Sequence, residues 1–336
     1  MTAALEVRAA IRSRRQRTGL VCGLLLLIAL AVSALALVLG DYHVAPLKVL
    51  DILAGGGDQT ERFIIVGQRL PRAIAALLVG AALGLAGALF QSISRNPLGS
   101  PDVIGFTTGS ASGALLALLI GNATGARVAV WAVLGGLLTA VAVLALTGRG
   151  QLRGERLIVG GIAVGAMLAA VNDYLITRAD PERAQEAKLW LLGSLNGING
   201  SPVRFLAVVL LVLFVLTACL RRRLGVLETG DDLATALGVR PAQVRLLAAL
   251  LGVALTGAAV AVSGPIGFLA LAAPQLGRRL TRSPTPALAS ATVTGALLLA
   301  VADLVSQRAL APFQIPVGLV TGVLGGAYLA WLIGRR

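Results

Sequence analysis

The sequence predicts an all-α membrane protein of about ten transmembrane helices, and three observations predict it. Hydrophobic residues make up 57% of the 336-residue chain and charged residues only 13%, against roughly 25% charged in a soluble domain. Mean hydropathy is +0.88. The apolar residues fall in separated runs close to the roughly 20 residues a helix needs to cross a bilayer. That spacing leaves no room for a sizeable soluble domain.

The first run, Leu20–Leu39, is uncharged and follows Arg8, Arg12, Arg14, Arg15 and Arg17. This predicts a basic cytoplasmic segment over 1–19 and a retained first span, because Cys22 sits near the start of the run and not after it, where a lipoprotein cysteine would stand. Residues 20–336 then form a single ten-helix domain. Its further runs lie at about 73–90, 103–120, 128–147, 157–177, 203–220, 246–263, 266–277, 287–305 and 317–333. The run at 266–277 would cover only about 18 Å of a roughly 30 Å hydrocarbon core. It is expected to be a short, tilted span, set off from its predecessor by Gly264-Pro265. Alternate threading puts both termini in the cytoplasm, with 19 basic residues inside and 10 outside, as the positive-inside bias requires.

The same counts exclude chemistry. His43 is the only histidine, and Cys22 and Cys219 are the only cysteines, so neither a metal cluster nor a disulfide framework is expected. Lys48 and Lys188 follow Leu47 and Ala187, whereas a phosphate-cradling loop places Gly before its Lys. No cofactor is therefore expected in this chain. The net charge of +14 lies between apolar runs and reads as topology, not as nucleic-acid binding.

Several features bear on function. Glycines recur at four-residue spacing in Gly80/Gly84, Gly105/Gly109/Gly113, Gly161/Gly165 and Gly318/Gly322/Gly326, which suits close helix packing, a subunit interface or a pathway lining. The stretches from Arg72 and from Arg245 echo one another as an inverted repeat would. Asp173 and Asp303 lie within apolar runs, either as proton or cation sites of a gradient-driven carrier or as groups solvated or paired with Arg178 or Arg308. In the 221–245 loop, Thr229 or Asp231 can cap a short helix, Leu233 and Leu237 share a face, and Gly238 suits its end. That helix either receives force from a soluble partner or lies on the membrane surface. Outside, Arg69-Leu-Pro-Arg72 sets two guanidiniums at a helix entrance, for function or for headgroup snorkelling. The outer loop 178–200, with Glu182, Glu186 and Trp190, is expected to form an interfacial helix.

The stretches Arg69–Arg72, Gly80–Gln91 and Arg95-Asn-Pro-Leu-Gly-Ser-Pro-Asp-Val-Ile-Gly-Phe106 resemble the FecCD/BtuC-like permeases of iron-siderophore and vitamin B12 ABC importers. So do Trp190–Gly197, Gly230–Gly238, Gly264–Pro274 and Ile315–Gly322, in family order along nearly the whole chain. The resemblance implies a BtuC-like ABC importer permease fold in the bacterial cytoplasmic (inner) membrane. It implies a second permease subunit, with a heterodimer favoured, two ATPase subunits that hold the ATP and Mg, and an external substrate-binding protein. The cargo it implies is a ferric siderophore, catecholate type favoured, with cobalamin or haem as alternatives.

By the same resemblance, Thr229, Gly230, Asp231, Asp232, Leu233, Ala234, Leu237 and Gly238 form the ATPase-coupling segment. Arg69 and Arg72, with Arg308 a weaker match, dock the binding protein. Gln91, Asn96, Gly105, Gly109, Asn172 and Asp173 are expected along a path lined by the second, third, fifth and tenth spans. Where the family has Pro-His before its last arginine cluster, this chain has Pro274-Gln275, which keeps hydrogen bonding and loses titration.

Overall fold

The computed structural model describes residues 2–40, 42–121, 123, 126–147, 154–283, 287–311 and 313–334. Arg149, Arg153, Arg335 and Arg336, used above to orient the chain, lie outside the described residues, as do the side chains of Arg8 and Arg156. In chain order the helices are α1 (Thr2–Val38), α2 (Pro46–Leu53), α3 (Gln59–Arg62), a π-helical segment (Phe63–Arg69), α4 (Leu70–Ser94), α5 (Phe106–Leu119), α6 (Ala126–Thr147) and α7 (Gly154–Arg178). They continue as α8 (Pro181–Leu191), α9 (Gly200–Leu227), α10 (Asp231–Ala236), α11 (Pro241–Ser263), α12 (Leu269–Thr281), α13 (Leu288–Arg308) and α14 (Val317–Gly334).

By length and composition, 7 helical rods among the described residues can cross a membrane: α1, the rod from α3 into α4, α6, α7, α9, α11 and α13. The remaining expected spans are the shorter α5, α12 and α14, of 14, 13 and 18 residues. The ten predicted runs are thus present in order, but two are displaced. Helix α5 begins at Phe106, not Val103, because Pro97, Gly99 and Pro101 keep 95–105 out of a helix and Gly105 enters α5 at φ +78°. Helix α12 covers 269–281, not 266–277: Gly264 ends α11 at φ +68°, and Phe268 stands in the left-handed region at φ +64° before α12 starts. The basic 1–19 segment is a helical extension of the first span, and the 178–200 loop carries α8, with Trp190 packed on the alanines of α5 and α6.

Long-range contacts sort the helix ends onto two faces. On one face Arg14 donates to Ser283, Ser92 to Glu228 and Arg95 to Asp231, and the Arg279 guanidinium lies 5.1 Å from the Trp331 ring. The start of α1 and the end of α14 therefore share this face. On the other face Arg72 meets Asp303, Ser194 N–H donates to Ser263 O, and Gly318 N–H donates to Gly193 O.

Helix α4 is the central column, with 83% of its apolar window buried. Its glycines permit this. In lipid, apolar side chains gain little by leaving the bilayer, so close van der Waals approach supplies much of the packing energy. Gly80 and Gly84 lie against the backbone of Gly295 and Ala291 in α13, and Gly87 lies against the Ala270 carbonyl of α12. Pro274 has no N–H with which to bond that carbonyl, so α12 presents it to Gly87. Phe90 fills the space over Gly252 of α11 and stacks 5.3 Å from Phe106. A second tight group joins Gly109 and Gly113 of α5 to α6, and Gly105 to Gly161 and Gly165 of α7. Gly322 and Gly326 of α14 face open space.

Ahead of α4 the chain widens into the π-helical segment, with Leu70 N–H bonded to Ile65 O. Pro71 explains the widening, since its ring would press on the Gly67 carbonyl of a regular α-helix and it offers that carbonyl no donor.

The packing predicts opposite responses at two glycines. Gly80→Ala drives a Cβ into the Gly295 carbonyl and is expected to lower stability by about 1–3 kcal/mol. Gly322→Ala, on an open helix face, is expected to be neutral or slightly stabilising. Thermal unfolding of the two variants in detergent checks this.

Candidate functional site

Three polar constellations interrupt the apolar packing. The first surrounds α10. Helix α9 ends at Glu228, Thr229 Oγ1 donates to the Val226 carbonyl at 2.7 Å, and Gly230 turns the chain at φ +121°. Gly230 occupies the N-cap of α10 with no side-chain cap. Neither Thr229 nor Asp231 caps the helix as expected, because each side chain is taken by another partner. At the other end Gly238, at φ +77°, donates to Thr235 O, and Val239 N–H donates to Ala234 O. This is the paired-carbonyl ending that a left-handed glycine provides.

Asp231 is the hub of this region. Arg245 reaches it from α11 with Nη2 2.6 Å from Oδ1 and Nη1 2.9 Å from Oδ2, and Arg95 at the end of α4 donates from 2.8 Å. Arg95 also donates to the Leu227 carbonyl at 2.9 Å. One carboxylate thus fixes α10 to α4 and α11, and Arg95 extends the link to α9. Hydrogen bonding from Arg245, then the nearby positive charges of Arg245 and Arg95, hold its pKa below the ordinary carboxylate value. Ala234 is buried beneath the short helix. Asp232 is exposed, and Leu233 and Leu237 project outward at 51% and 62% exposure. The predicted segment therefore divides: Asp231 and Ala234 hold it in place, and Asp232, Leu233 and Leu237 are presented.

The second constellation lies on the opposite face. Arg72 Nε and Nη2 donate to Asp303 at 3.0 and 2.9 Å, and Nη1 donates to Gln314 at 2.9 Å. Gln307 donates to Asp303 Oδ2 at 2.8 Å. Asp303 is 2% exposed. Its ion-pair partner is Arg72, 231 positions away, so this carboxylate ties α13 to α4. Arg69 donates to the carbonyls of Leu37, Val38 and Tyr42 at the end of α1. Both guanidiniums expected to face a docking protein thus hold intrachain partners, while Arg308 sits half-buried in the last turn of α13 on the same face.

The third constellation is buried at the level of the α12 proline. Gln275 Nε2 donates to Gln91 Oε1 at 2.7 Å and to the Pro97 carbonyl at 3.2 Å, and Gln91 Nε2 donates to Leu271 O at 3.1 Å. The side chain that replaces the expected histidine therefore joins α4, the 95–105 segment and α12. Asp102, missed because it stands just ahead of an apolar run, accepts from Thr107 Oγ1 at 2.6 Å.

The residues expected along a path are dispersed. Gln91, Gly105 and Gly109 are consumed in packing within the chain, and Asn96 shapes a turn by accepting from Leu98 N–H at 2.9 Å. Asn172 is buried, and Asp173 is exposed on α7. Helix α4, the second span, is largely enclosed, with Ile74 its one exposed large apolar residue among those described. Helices α7 and α14 leave faces uncovered among the described residues.

Two outcomes follow from this geometry. Asp303→Asn leaves Arg72 buried without its counter-charge and is expected to cost about 3–5 kcal/mol, whereas Arg72→Leu with Asp303→Leu recovers most of that loss; unfolding midpoints of the single and double variants check it. Because the folded pKa of Asp231 is depressed, its contribution is complete above the unfolded value of about 3.9 and is lost as pH falls through the folded value. Proteolysis within 226–240 is therefore expected to stay slow at neutral pH and to accelerate only below about pH 4.

The sequence profile of the FecCD transport family matches residues 25–335. The chain is 44% identical over 286 residues to the ferric enterobactin transport system permease protein FepG of Escherichia coli K12, covering 85% of this chain and 87% of that protein. It is 36% identical to the Fe(3+)-citrate import system permease protein YfmE of Bacillus subtilis 168, covering 96% and 97%. Among solved structures, a metal-chelate type ABC transporter in an inward-facing conformation superposes with a TM-score of 0.83 at 30% identity, covering 94% of this chain and 99% of that one.

Proposed function

The chain belongs to the FecCD transport family, a multi-pass membrane family, and from that premise we propose that it is the permease subunit of an ATP-driven importer of a ferric siderophore, a catecholate chelate favoured. The similarity to a ferric enterobactin permease supports the catecholate choice. The observation that carries the reading is α10: a short helix fastened by Asp231 to Arg95 and Arg245 and presenting Leu233 and Leu237 to the exterior. No other described residue covers those leucines.

The α10 face is the cytoplasmic one. It carries Arg12, Arg14, Arg15, Arg17, Arg95, Arg221, Arg222, Arg223, Arg240, Arg245, Arg278, Arg279 and Arg282, and the positive-inside bias supports that side. Two ATPase subunits that bind ATP and Mg dock there, one on each permease of a pair, and a heterodimer fits the likeness to a named subunit of an enterobactin system. This chain supplies no catalysis. It supplies a rigid lever, because a displacement of α10 passes through one carboxylate to α4 and α11 and through Arg95 to α9. Nucleotide state needs only to bind two arrangements of those helices with different affinity.

On the outer face the binding protein docks near Arg69, Arg72 and Arg308. An arriving carboxylate would compete with Asp303 for Arg72 and with the α1 carbonyls for Arg69, which links docking to the seam between α4 and α13. The cargo passes between the paired permeases along the uncovered faces of α7 and α14.

Two measurements test the proposal. Leu233→Glu with Leu237→Glu is expected to reduce co-purification of the partner ATPase at least about tenfold, with membrane insertion unchanged; undiminished co-purification removes the coupling role. Cells lacking the chain are expected to lose growth on ferric catecholate as sole iron source and to keep uptake of haem and cobalamin. Loss of haem or cobalamin uptake instead reassigns the cargo.

A further inference from the structure

A cleft of about 380 Å³ opens on the α10 face between α1, α4, α9 and the start of α13. Arg14 and Arg15 enter it from α1 and Arg221 from α9, with Ser92, Glu228 and Ser283 among its other polar groups. The three guanidiniums outnumber the one carboxylate. Glu228 already accepts from Ser92 at 3.1 Å, and one N–H of Arg14 goes to Ser283 at 2.9 Å. Among the described residues, Arg15 and Arg221 have no hydrogen bond or ion pair. Among the described residues the cleft therefore concentrates more positive than negative charge.

Its depth decides what fills it. Arg14 and Arg15 stand about one turn before the apolar run that begins at Leu20, and Arg221 directly follows the run that ends at Leu220. Both sets of arginines thus sit at the level where hydrocarbon gives way to headgroups. Deeper on the helix faces that line the mouth, in register with Arg14 and Thr18 on α1 and with Arg221 and Leu224 on α9, Val21, Leu25 and Phe214 are partly exposed, an apolar continuation below a cationic mouth. A soluble anion would use the mouth alone, whereas a phospholipid uses both.

We infer that this cleft is a binding site for the phosphodiester headgroup of an anionic phospholipid, its acyl chains running along α1 and α9. Arg15 and Arg221 are its principal phosphate ligands, and Arg14 assists from its contact with Ser283. Basic pockets between membrane helices on the cytoplasmic side recognise such headgroups, and planar guanidiniums suit phosphate oxygens. The bound lipid would sit beside Glu228, one residue ahead of the segment that leads into α10, so its charge would bear on the anchored end of α9. The inference rests on the proposed reading of this face as cytoplasmic, but not on transport activity.

The test is native mass spectrometry of the full chain in detergent, titrated with phosphatidylglycerol, phosphatidylcholine or inorganic phosphate. Phosphatidylglycerol is expected to bind at least about tenfold more tightly than phosphatidylcholine, given a several-fold gain for each basic residue near an anionic group. R15Q with R221Q is expected to remove that preference, and R222Q with R223Q, adjacent on α9 but outside the cleft, to retain it. R221Q alone, at an exposed position of α9, provides the same reading with minimal disturbance of the fold. Equal binding of the two lipids, or equal losses in both double variants, overturns the proposal. Displacement of phosphatidylglycerol by millimolar inorganic phosphate also overturns it, by assigning the cleft to a soluble anion. Lipid selectivity in a preparation that fails to transport would leave this site standing and count only against the transport reading.

Discussion

Backbone-to-backbone approach along α4 is the constraint on which the other features depend. In a bilayer the helices gain little from hiding apolar side chains, so contact at van der Waals distance must supply much of the attraction that water supplies elsewhere. Gly80, Gly84 and Gly87 bring α13 and α12 against α4, and Gly252 admits Phe90. Once α4 is enclosed, its two ends become fixed points. Arg72 at one end and Arg95 at the other can then each grip a carboxylate on a distant helix, and each does so.

Those two ion pairs give the rod a mechanical character. Asp303 and Gln314 engage the Arg72 end, and Asp231 engages the Arg95 end with help from Arg245. Between them Gln91 and Gln275 join the rod to α12 near its proline. A push on α10 and a pull near Arg72 thus act on the same helix. The buried pair is worth little as net stability because desolvation offsets its attraction; its effect is to make the two ends of α4 specific about their neighbours.

The run-length signal was legible because lipid forbids unsatisfied backbone, so every crossing leaves a contiguous apolar stretch. The same signal misplaced the starts of α5 and α12. Hydropathy registers side chains, whereas the non-helical stretches before those helices are set by Pro97, Pro101 and the left-handed Gly264 and Phe268. Glycine spacing marked the close-packing faces but not their partners: Gly80 and Gly84 find α13, and Gly322 and Gly326 find none among the described residues. Arg72 and Asp303 are 231 positions apart, so no local pattern could pair them. The short helix α10 was readable from Leu233, Leu237 and Gly238, yet the inward role of Asp231 emerged only when Arg95 and Arg245 converged on it.

Under the proposed function this chain is a gate moved by an ATP-hydrolysing partner that acts on α10. The direct measurement is uptake of a ferric catecholate into vesicles that contain this chain, its permease partner and the external binding protein, with or without the ATPase. Accumulation is expected only when ATPase and ATP are both present, and collapse of proton and sodium gradients is expected to leave it unchanged. Accumulation driven by an ion gradient in vesicles lacking the ATPase would contradict the account.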